Sequence, residues 1–402
     1  MGDSLTPVTA PDPVDRGGPP STSPPTLAEV VRLLDRLYDP TWADDWDAVG
    51  TVTGHPEQPV SKIMFAVDPV HAVVAEAVEW GAELLVVHHP LLLRPVHSVA
   101  ASSPKGRAVH DLISSGIALH VCHTNADSPA GGVSEALALT LRLQGSRPLV
   151  PAGQSPLDKI VTFVPHDYAR QVIDALSGAG AGAIGDYDRC AFTSTGLGTF
   201  RPSPGADPTI GVVGEIAQVD ETRLEMVLPR ELRVPVIAAL RAAHPYEEPA
   251  FDLFEMAQLP ADRGSGRIGR LAIEQTLRDF AGHVANALPV TAQGVRVAGD
   301  EDRMIRTVAV AGGAGDILLT EVRAAHPDVY VTSDLRHHPA SEFREHPHAP
   351  ALIDVAHWAA EWTWLPVVER ALTQALSQQD VTVETHVSRI PTDPWTFRVN
   401  HR

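Results

Sequence analysis

The chain has 402 residues, of which 44% are hydrophobic and 20% charged, so it is long enough for two or three folded domains with ordinary cores. Its formal net charge of -19 argues against a nucleic-acid-binding surface, which needs a basic stripe, although a nucleotide held in a pocket remains compatible with it. Two cysteines, Cys122 and Cys190, are too few for a disulfide scaffold, and no apolar run reaches the roughly 18 residues of a membrane span. We therefore expect a cytoplasmic protein.

Residues 1–25 are rich in Pro, Ser, Thr and Gly and lack the basic-then-apolar order of a secretion signal. We interpret this segment as a disordered tail. Order is predicted to begin at Thr26-Leu27-Ala28-Glu29, which has the form of a capping box and precedes a helical pattern of apolar residues.

Residues 26–155 alternate between apolar strands and helices. The predicted strands cover residues 63–67, 84–87 and 117–121, and the predicted helices between them cover residues 71–80 and 105–114. Because strands that are apolar throughout are buried on both faces, this order predicts a parallel sheet covered by helices on both sides. The same rhythm returns over residues 259–386, with strands at 307–310 and 329–332.

Residues 156–258 follow a different pattern. Their strand–helix–strand–strand–helix–strand order is typical of ferredoxin-like α+β units. The predicted fold is therefore α/β: one split α/β domain, with parallel-rich sheets and helices on both faces, interrupted by an inserted α+β domain. Residues 387–402 contain two prolines and little periodicity, and they are predicted to form a C-terminal tail.

Three groups of histidine and acidic residues directly follow apolar, strand-like runs. They are His88 and His89 after residues 84–87, His123 and Asp127 after residues 117–121, and His357 and Glu361 after residues 352–355. Parallel α/β sheets bind ligands at the carboxyl ends of their strands, so we expect the three groups to lie close together.

The residue types in these groups predict a metal site. His357 and Glu361 are four residues apart, which places them on one face of a helix, and Pro90 lets His88 and His89 both turn inward. Divalent Zn, Fe, Mn or Co accepts imidazole nitrogen and carboxylate oxygen. The three groups supply four histidines and two carboxylates, and even three histidines with two carboxylates exceed what one ion normally takes, so the sequence predicts a two-metal centre built from both halves of the chain.

Each group taken alone has a simpler interpretation. A His-His pair or a His-x-x-x-Glu pair is more often a polar surface feature, and Asp127 before Ser128-Pro129 also fits a turn or a helix cap. The segment His337-His338-Pro339 repeats the His-His-Pro text after another predicted strand. The shared placement of the three groups at strand ends favours the metal site.

The motifs together resemble the GTP cyclohydrolase 1 type 2 homologue family, also described as Nif-three-like proteins. The resemblance runs from about residue 27 to residue 394. In the split domain it is carried by Trp46-Asp47-Ala48-Val49-Gly50, His88-His89-Pro90, His123-Thr124-Asn125-Ala126-Asp127 and His357-Trp358-Ala359-Ala360-Glu361. The inserted segment resembles the family's PII-like domain. In and just after this segment the resemblance is carried by Gly196-Leu197-Gly198-Thr199-Phe200, His244-Pro245-Tyr246-Glu247-Glu248-Pro249 and Gly264-Ser265-Gly266-Arg267-Ile268-Gly269.

The resemblance implies a ligand set, an assembly and a reaction. Two divalent metal ions would be held by His88, His89, Asp127, His357 and Glu361. His123 would lie close by, either supporting the ligands or as an extra ligand. Independently of the resemblance, a neutral imidazole such as His123 or His338 is a candidate for catalytic proton transfer. The family assembles as a ring-shaped homohexamer, and its name implies opening of the imidazole ring of GTP. Ala48 departs from the family pattern, which commonly has Asn at that position.

Two alternatives to that reaction stay open. A two-metal centre also suits hydrolysis of other small molecules, such as phosphoesters or amides. The second alternative is a protein without catalytic activity, a ring that holds metal or binds a partner. No P-loop accompanies the motifs, and Gly312-Gly313-Ala314-Gly315 is a candidate anion site because a helix is predicted to follow it.

Overall fold

The structure, a computed structural model, describes residues 24–399. Nearly all of the tail predicted for residues 1–25, and residues 400–402 of the predicted C-terminal tail, lie outside this range. The described chain divides into two compact units, one formed by residues 24–151 and 262–399 and the other by residues 152–261. We call them unit 1 and unit 2.

The strands of the described residues form three sheets. In chain order they are β1 (Gly50–Thr53), β2 (Lys62–Ala66), β3 (Leu84–Val87), β4 (Ala118–Val121), β5 (Gln144–Gly153), β6 (Leu157–Pro165), β7 (Phe192–Phe200), β8 (Ala217–Pro229), β9 (Phe251–Glu255), β10 (Pro260–Thr276), β11 (Arg296–Ala298), β12 (Met304–Ala314), β13 (Val329–Ser333), β14 (Ala351–Val355) and β15 (Glu384–Val387).

The α-helices connect these strands. In chain order they are α1 (Leu27–Leu37), α2 (His71–Trp80), α3 (Pro104–Ser114), α4 (Thr124–Asp127), α5 (Val133–Thr140), α6 (Ala169–Gly178), α7 (Arg233–Ala243), α8 (Leu277–Ala287), α9 (Leu319–Ala325), α10 (His337–Glu345), α11 (His357–Trp362) and α12 (Leu365–Ser377). Among the helices of residues 24–399, none combines the length and the apolar character that a membrane crossing requires.

Unit 1 contains two sheets whose central strands run parallel. The first has the order β1-β4-β3-β2-β15, and β1 alone is antiparallel to its neighbour. The second has the order β11-β14-β13-β12-β10-β5, with β12, β13 and β14 parallel to one another. The mixed α/β architecture predicted from the sequence is therefore confirmed.

Alternating strand residues place helices on both faces of the first sheet. Met64, Leu85 and Leu119 pack with residues of α2 and α3 in one apolar cluster. Phe65 and Val86 point to the opposite face and join a larger cluster that also holds inward residues of β12, β13 and β14. Since successive strand side chains point to opposite faces, the two sheets of unit 1 share one central core.

Local sequence explains where several elements begin. Thr26 caps α1: its hydroxyl accepts from the Glu29 amide while the Glu29 carboxylate accepts from the Thr26 amide, which is the predicted capping box. One element differs from the prediction at the other end of the chain. Strand β15 pairs with β2 in parallel, although the sequence of β15 has too little apolar periodicity to predict a strand.

Unit 2 has the element order β6-α6-β7-β8-α7-β9 and one antiparallel sheet in the order β7-β8-β6-β9. Helices α6 and α7 cover one face of this sheet through Val172, Leu176, Val236 and Leu240. The even-numbered residues of β8, such as Leu224, complete that core. The odd-numbered residues of β8 lie on the other face, which the two helices leave uncovered.

Candidate metal centre

The predicted ligand residues lie at the carboxyl ends of parallel strands in both sheets of unit 1. His88 follows β3 directly, His123 follows β4 after one residue, and His357 follows β14 after one residue. Asp127 ends the short helix α4, and Glu361 lies one turn after His357 in α11. The edges of two sheets therefore supply one group of side chains.

Three histidines of this group converge on the carboxylate of Glu361, which is buried. Oε1 of Glu361 is 2.8 Å from Nε2 of His357 and 3.5 Å from Nε2 of His88, and its Oε2 is 3.0 Å from Nε2 of His89. Oδ1 of Asp127 is 3.6 Å from Nε2 of His88. Nε2 is thus the nitrogen that His88, His89 and His357 each turn toward a carboxylate.

The opposite ring nitrogen of every histidine in the group has an oxygen partner. The pairs, by Nδ1, are His88 with the Cys122 carbonyl at 2.8 Å, His89 with Asp68 at 2.7 Å, His123 with Asp47 at 2.8 Å, and His357 with Asp334 at 2.7 Å. Because a carbonyl or carboxylate oxygen only accepts, each Nδ1 carries the hydrogen. A neutral ring then keeps its lone pair at Nε2, which is the form that coordinates a metal.

Two subsets of the group have potential ligand atoms within 4.8 Å of one another, His88 with His89 and His123, and His89 with His357 and Glu361. Oε2 of Glu361 is buried and meets no hydrogen-bond geometry among the described residues, although Nε2 of His89 lies 3.0 Å away. A ring nitrogen and a buried carboxylate oxygen at this separation fit coordination to a shared cation.

At three residues of the group, neighbouring charges and hydrogen bonds shift the pKa in the direction opposite to the effect of burial. Burial lowers the pKa of His89 and of His357, but the Glu361 carboxylate and hydrogen bonds to carboxylates outweigh it, raising the pKa of His89 to about 11 and that of His357 to about 9. Burial acts to raise the pKa of Glu361, yet the neighbouring histidines hold that pKa well below its ordinary value. At His88 burial dominates and lowers the pKa.

Asp127 adds a second acid to this confined space. Partial burial and the charge of Glu361 raise the pKa of Asp127 well above its ordinary value, although 39% of its side chain is exposed. Two carboxylates around a shared point repel each other unless a proton or a cation lies between them. The donor set therefore fits divalent metal ions, which neutralise both acids.

Gly313 lets the backbone of β12 pass close to the group. Its φ is 69°, and a Cβ atom at this position would lie 2.6 Å from Oε1 of Glu361 and 3.3 Å from Nε2 of His357. Any larger residue would push the Glu361 carboxylate aside. The Gly312–Gly315 segment thus makes room for Glu361, and it leads into a single 3-10 turn, Asp316–Leu318, followed by the short helix α9.

His338 lies apart from these contacts. It is exposed in the first turn of α10, where its ring packs against His337 with centroids 5.1 Å apart. Within residues 24–399 no hydrogen bond, ion pair or ring contact joins His338 to the group. Asp334, four residues before His338, does contact the group, because its carboxylate accepts a hydrogen bond from Nδ1 of His357.

Three acids that the sequence analysis did not assign hold the histidine rings. Asp68 follows β2, Asp334 follows β13, and Asp47 lies in the Trp46-Asp47 motif. The signal for Asp68 and Asp334 was the same as for the ligands, a polar residue just beyond an apolar strand. Asp47 gave no strand signal, because it lies in the irregular segment before β1.

Asp47 and His123 form a pair at the edge of the group. The Asp47 side chain is fully buried and also accepts from the amide and the hydroxyl of Thr124. Although burial opposes it, hydrogen bonds from His123 and Thr124 keep the pKa of Asp47 well below its ordinary value. The exposed ring of Trp46 meets His123 edge-on, with centroids 5.9 Å apart.

Arg267 fixes the chain just after Asp127. Its side chain is buried, and its guanidinium donates to the carbonyls of Ser128 at 2.9 Å and Pro129 at 2.7 Å, and to those of Gly264 and Gly266 in its own strand, β10. Its positive charge lies 3.8 Å from Glu135. The glycine-rich motif around Arg267 is thus a brace for the loop that carries Asp127.

Comparisons with known proteins agree over nearly the whole chain. A family model described as Duf34/NIF3 (NGG1p interacting factor 3) matches residues 25–394. A Mycobacterium tuberculosis protein named GTP cyclohydrolase 1 type 2 homolog is 48% identical over 372 residues, 92% of this chain and 97% of its own length. A Bacillus subtilis protein of the same name is 37% identical over 369 residues, 92% and 98% of the two chains. The crystal structure of a Bacillus cereus protein related to NIF3 matches with a TM-score of 0.71 at 34% identity, covering 93% of this chain and 99% of that one.

Proposed function

The chain belongs to the Duf34/NIF3 family, and from that premise we propose that unit 1 holds two divalent metal ions and hydrolyses a nucleotide-like small molecule. The family membership confirms the resemblance drawn from the sequence motifs. The proposed ligands are His88, His89, Asp127, His357 and Glu361.

One observation carries the metal proposal. Four histidines in one place each donate Nδ1–H to an oxygen, and three of them direct Nε2 at a buried carboxylate. Oxygen partners on the outer nitrogen orient metal-binding imidazoles and make them better ligands. A cluster of histidines that served only stability would not need this arrangement, because holding several rings and two acids so close together, with His88 and Glu361 buried, is costly.

Bound divalent ions would supply Lewis acidity, polarising the substrate and making water nucleophilic at neutral pH. The chain itself supplies the proton transfer. His123 holds its hydrogen at Nδ1, so its Nε2 accepts a proton from the attacking water. Asp47, kept ionised, stabilises the ring once it is protonated. His338 remains a second candidate from the family pattern, without a contact that supports it.

The printed name of the relatives favours a purine nucleotide as substrate. In the corresponding reaction, water adds at C8 of the purine and the imidazole ring opens. The exposed indole of Trp46, beside His123, offers a flat surface on which a purine stacks. This placement would bring the base to the proton-transferring ring.

The rest of the proposal concerns assembly and unit 2. The strand order β7-β8-β6-β9 and the two helices on one face support a ferredoxin-like, PII-like unit. The ring-shaped homohexamer and the cytoplasmic location come with the family resemblance and the composition.

Metal content per chain tests the metal proposal. Protein purified without chelators is expected to carry about two divalent ions per chain by elemental analysis. His88→Ala and Glu361→Gln are expected to lose most of this metal. His337→Ala is the matched control, since it alters the exposed His-His-Pro segment and should leave the metal content unchanged. Metal near zero in the wild type, or unchanged in both ligand variants, would overturn the proposal.

Turnover by the metal-loaded protein then separates the possible functions. Incubation with GTP is expected to give a product heavier by one water, and His123→Ala should abolish it while keeping the metal. Release of inorganic phosphate instead would favour the phosphoester alternative. Full metal content with turnover of neither kind would favour the metal-holding alternative.

A further inference from the structure

Unit 2 contains a pocket of about 580 Å³ on the sheet face that its helices leave uncovered. Its floor includes Phe163 of β6 and Glu221 and Arg223 of β8, which are odd-numbered residues and therefore point away from α6 and α7. The volume is in the range of small-molecule sites. The pocket lies within unit 2 alone and contains none of the proposed metal ligands.

Two sequence motifs without an assigned role meet in this pocket. The Gly196–Phe200 segment of β7 forms one wall, and the turn from His244 to Glu248 forms the other. The rings of Phe200 and Tyr246 close the gap between them, with centroids 5.7 Å apart.

His244 shapes the turn and is not itself available to a ligand. It is buried, its Nε2 bonds the Phe163 carbonyl at 3.0 Å, and its Nδ1 accepts from the Tyr246 amide at 3.1 Å. Both ring nitrogens are therefore occupied. The result is that Tyr246 is held facing the sheet.

A loop between β7 and β8 covers part of the pocket. The Thr209 hydroxyl donates to the Pro245 carbonyl at 2.7 Å, and the Asp207 amide donates to the Glu247 carboxylate at 3.0 Å. These two bonds tie the loop to the turn. The loop and the turn are thus held together at the edge of the pocket by two hydrogen bonds, each of which involves one side chain.

The charge of the lining is negative. Three carboxylates, from Glu221, Glu247 and Glu248, face one guanidinium, that of Arg223. Arg223 is already engaged, because its Nε donates to Glu225 at 2.8 Å and its guanidinium lies over the Phe163 ring at 5.8 Å. The lining therefore repels phosphates and attracts cations.

Glu221 is the best placed acceptor. The Tyr246 hydroxyl donates to its Oε1 at 2.9 Å, which fixes the carboxylate, and Oε2 has no hydrogen-bond donor among the described residues. The same carboxylate lies across Gly198, where a Cβ atom would clash with Oε2. Glycine at position 198 is thus what allows the acid to lie along the pocket wall.

We propose that this pocket binds a small organic cation, an amine with an aromatic or apolar body. The ammonium group pairs with Glu221, and the body packs against the touching rings of Phe200 and Tyr246, whose faces also attract positive charge. Apolar walls with a few fixed polar groups are typical of sites for such ligands. The proposal is independent of the metal centre, so each can fail without the other.

The test uses matched probes on the whole protein. Ligand-observed NMR and calorimetry compare tyramine and phenylethylamine with 4-hydroxyphenylacetate, which shares the body of tyramine but carries the opposite charge, and with ATP. We expect at least one amine to bind and both anions to bind more weakly. Glu221→Gln should weaken the amine by about tenfold or more, because it removes a charge-assisted hydrogen bond.

Glu231→Gln is the matched control, since Glu231 is an exposed acid of the same unit outside the pocket, and it should leave binding unchanged. Glu247→Gln provides a second pocket variant in case Glu221→Gln unfolds, and amide exchange of β8 reports on folding. The proposal is overturned if no amine binds, if 4-hydroxyphenylacetate or ATP binds as tightly as the amines, or if Glu231→Gln weakens binding as much as the pocket variants do.

Discussion

At the scale of single residues, the candidate metal centre depends on which nitrogen of each histidine carries the hydrogen. The outer nitrogens donate to three carboxylates and one backbone carbonyl, so the inner nitrogens are turned toward the centre before any metal arrives. Rings without these partners would interchange their two neutral forms. By holding the hydrogen at Nδ1, Asp47, Asp68 and Asp334 thus determine that Nε2 of each neutral ring has the free lone pair.

Removing Asp47 should release His123 from its single neutral form. In Asp47→Ala we expect nitrogen NMR of labelled histidine to show a mixture of the Nδ1–H and Nε2–H forms at His123, where the wild type shows Nδ1–H alone. Turnover should fall by about 100-fold or more, because the proton-accepting atom is then often blocked. Asp45→Ala, which removes an exposed neighbouring acid, should change neither. An unaltered Nδ1–H signal in Asp47→Ala would contradict this role.

At the scale of secondary-structure elements, the sequence predicted apolar strands and the polar residues at their ends. It did not predict hydrogen bonds from a buried side chain that hold two elements together. Strand β3 and helix α2 have the predicted bounds, because continuous apolar runs and helical periodicity are strong local signals. The long strand β10 gave no such signal, since its glycines and arginines interrupt any apolar pattern. Arg267 within it is buried because it binds four carbonyls, and such a partnership is set by tertiary contacts.

In unit 2, Asp158 of β6 should make the local stability depend on pH. Its buried carboxylate accepts from Arg230 and Arg233, and the Arg233 hydrogen bond above all lowers its pKa. A carboxyl group with a lowered pKa in the folded state adds stability above its unfolded pKa of about 3.9, and that stability is lost as the pH falls through the folded value. Asp158→Asn removes the charge at every pH.

Amide exchange of β6, followed by mass spectrometry at several pH values, measures this effect. We expect Asp158→Asn to exchange about fivefold to tenfold faster than the wild type near pH 7, and the difference to shrink below about pH 4 as Asp158 itself becomes protonated. Asp174→Asn is the control, because the pair of Asp174 with Arg189 is largely exposed and should contribute little. A difference between Asp158→Asn and the wild type that grows toward acid would refute the argument.

At the scale of the whole molecule, all five proposed ligands and His123 belong to unit 1, although unit 2 separates them in the sequence. The two halves of unit 1 were recognisable as α/β from sequence, and strand ends located the ligands. The number of sheets was not predictable, because apolar strands show that they are buried without showing which strands are neighbours. The shared core between the two sheets joins strands from both halves of the chain.

Unit 1 should therefore hold metal without unit 2. The backbone amide of Gln154 donates to the carbonyl of Leu259 at 2.8 Å, so the two ends of the insertion are adjacent. Replacing residues 155–258 with Asn-Gly, the preferred two-residue hairpin turn, should close the gap. We expect this shortened chain to contain as much metal per chain as the full one by elemental analysis. A folded but metal-free product would show that unit 2 is needed for the centre.

The division of the ligands between the two halves also has a consequence for how the protein is made. His88, His89 and Asp127 leave the ribosome well before His357 and Glu361, with all of unit 2 synthesised in between. In the nascent chain, the imidazoles of His88 and His89 are therefore exposed long before Glu361, the acid that they contact in the folded protein, has been synthesised. With the proposed ligand set, an ion captured early would be held without Glu361 and would remain exchangeable. We therefore expect the choice of metal to be made late, by the finished protein and the ions available to it after synthesis.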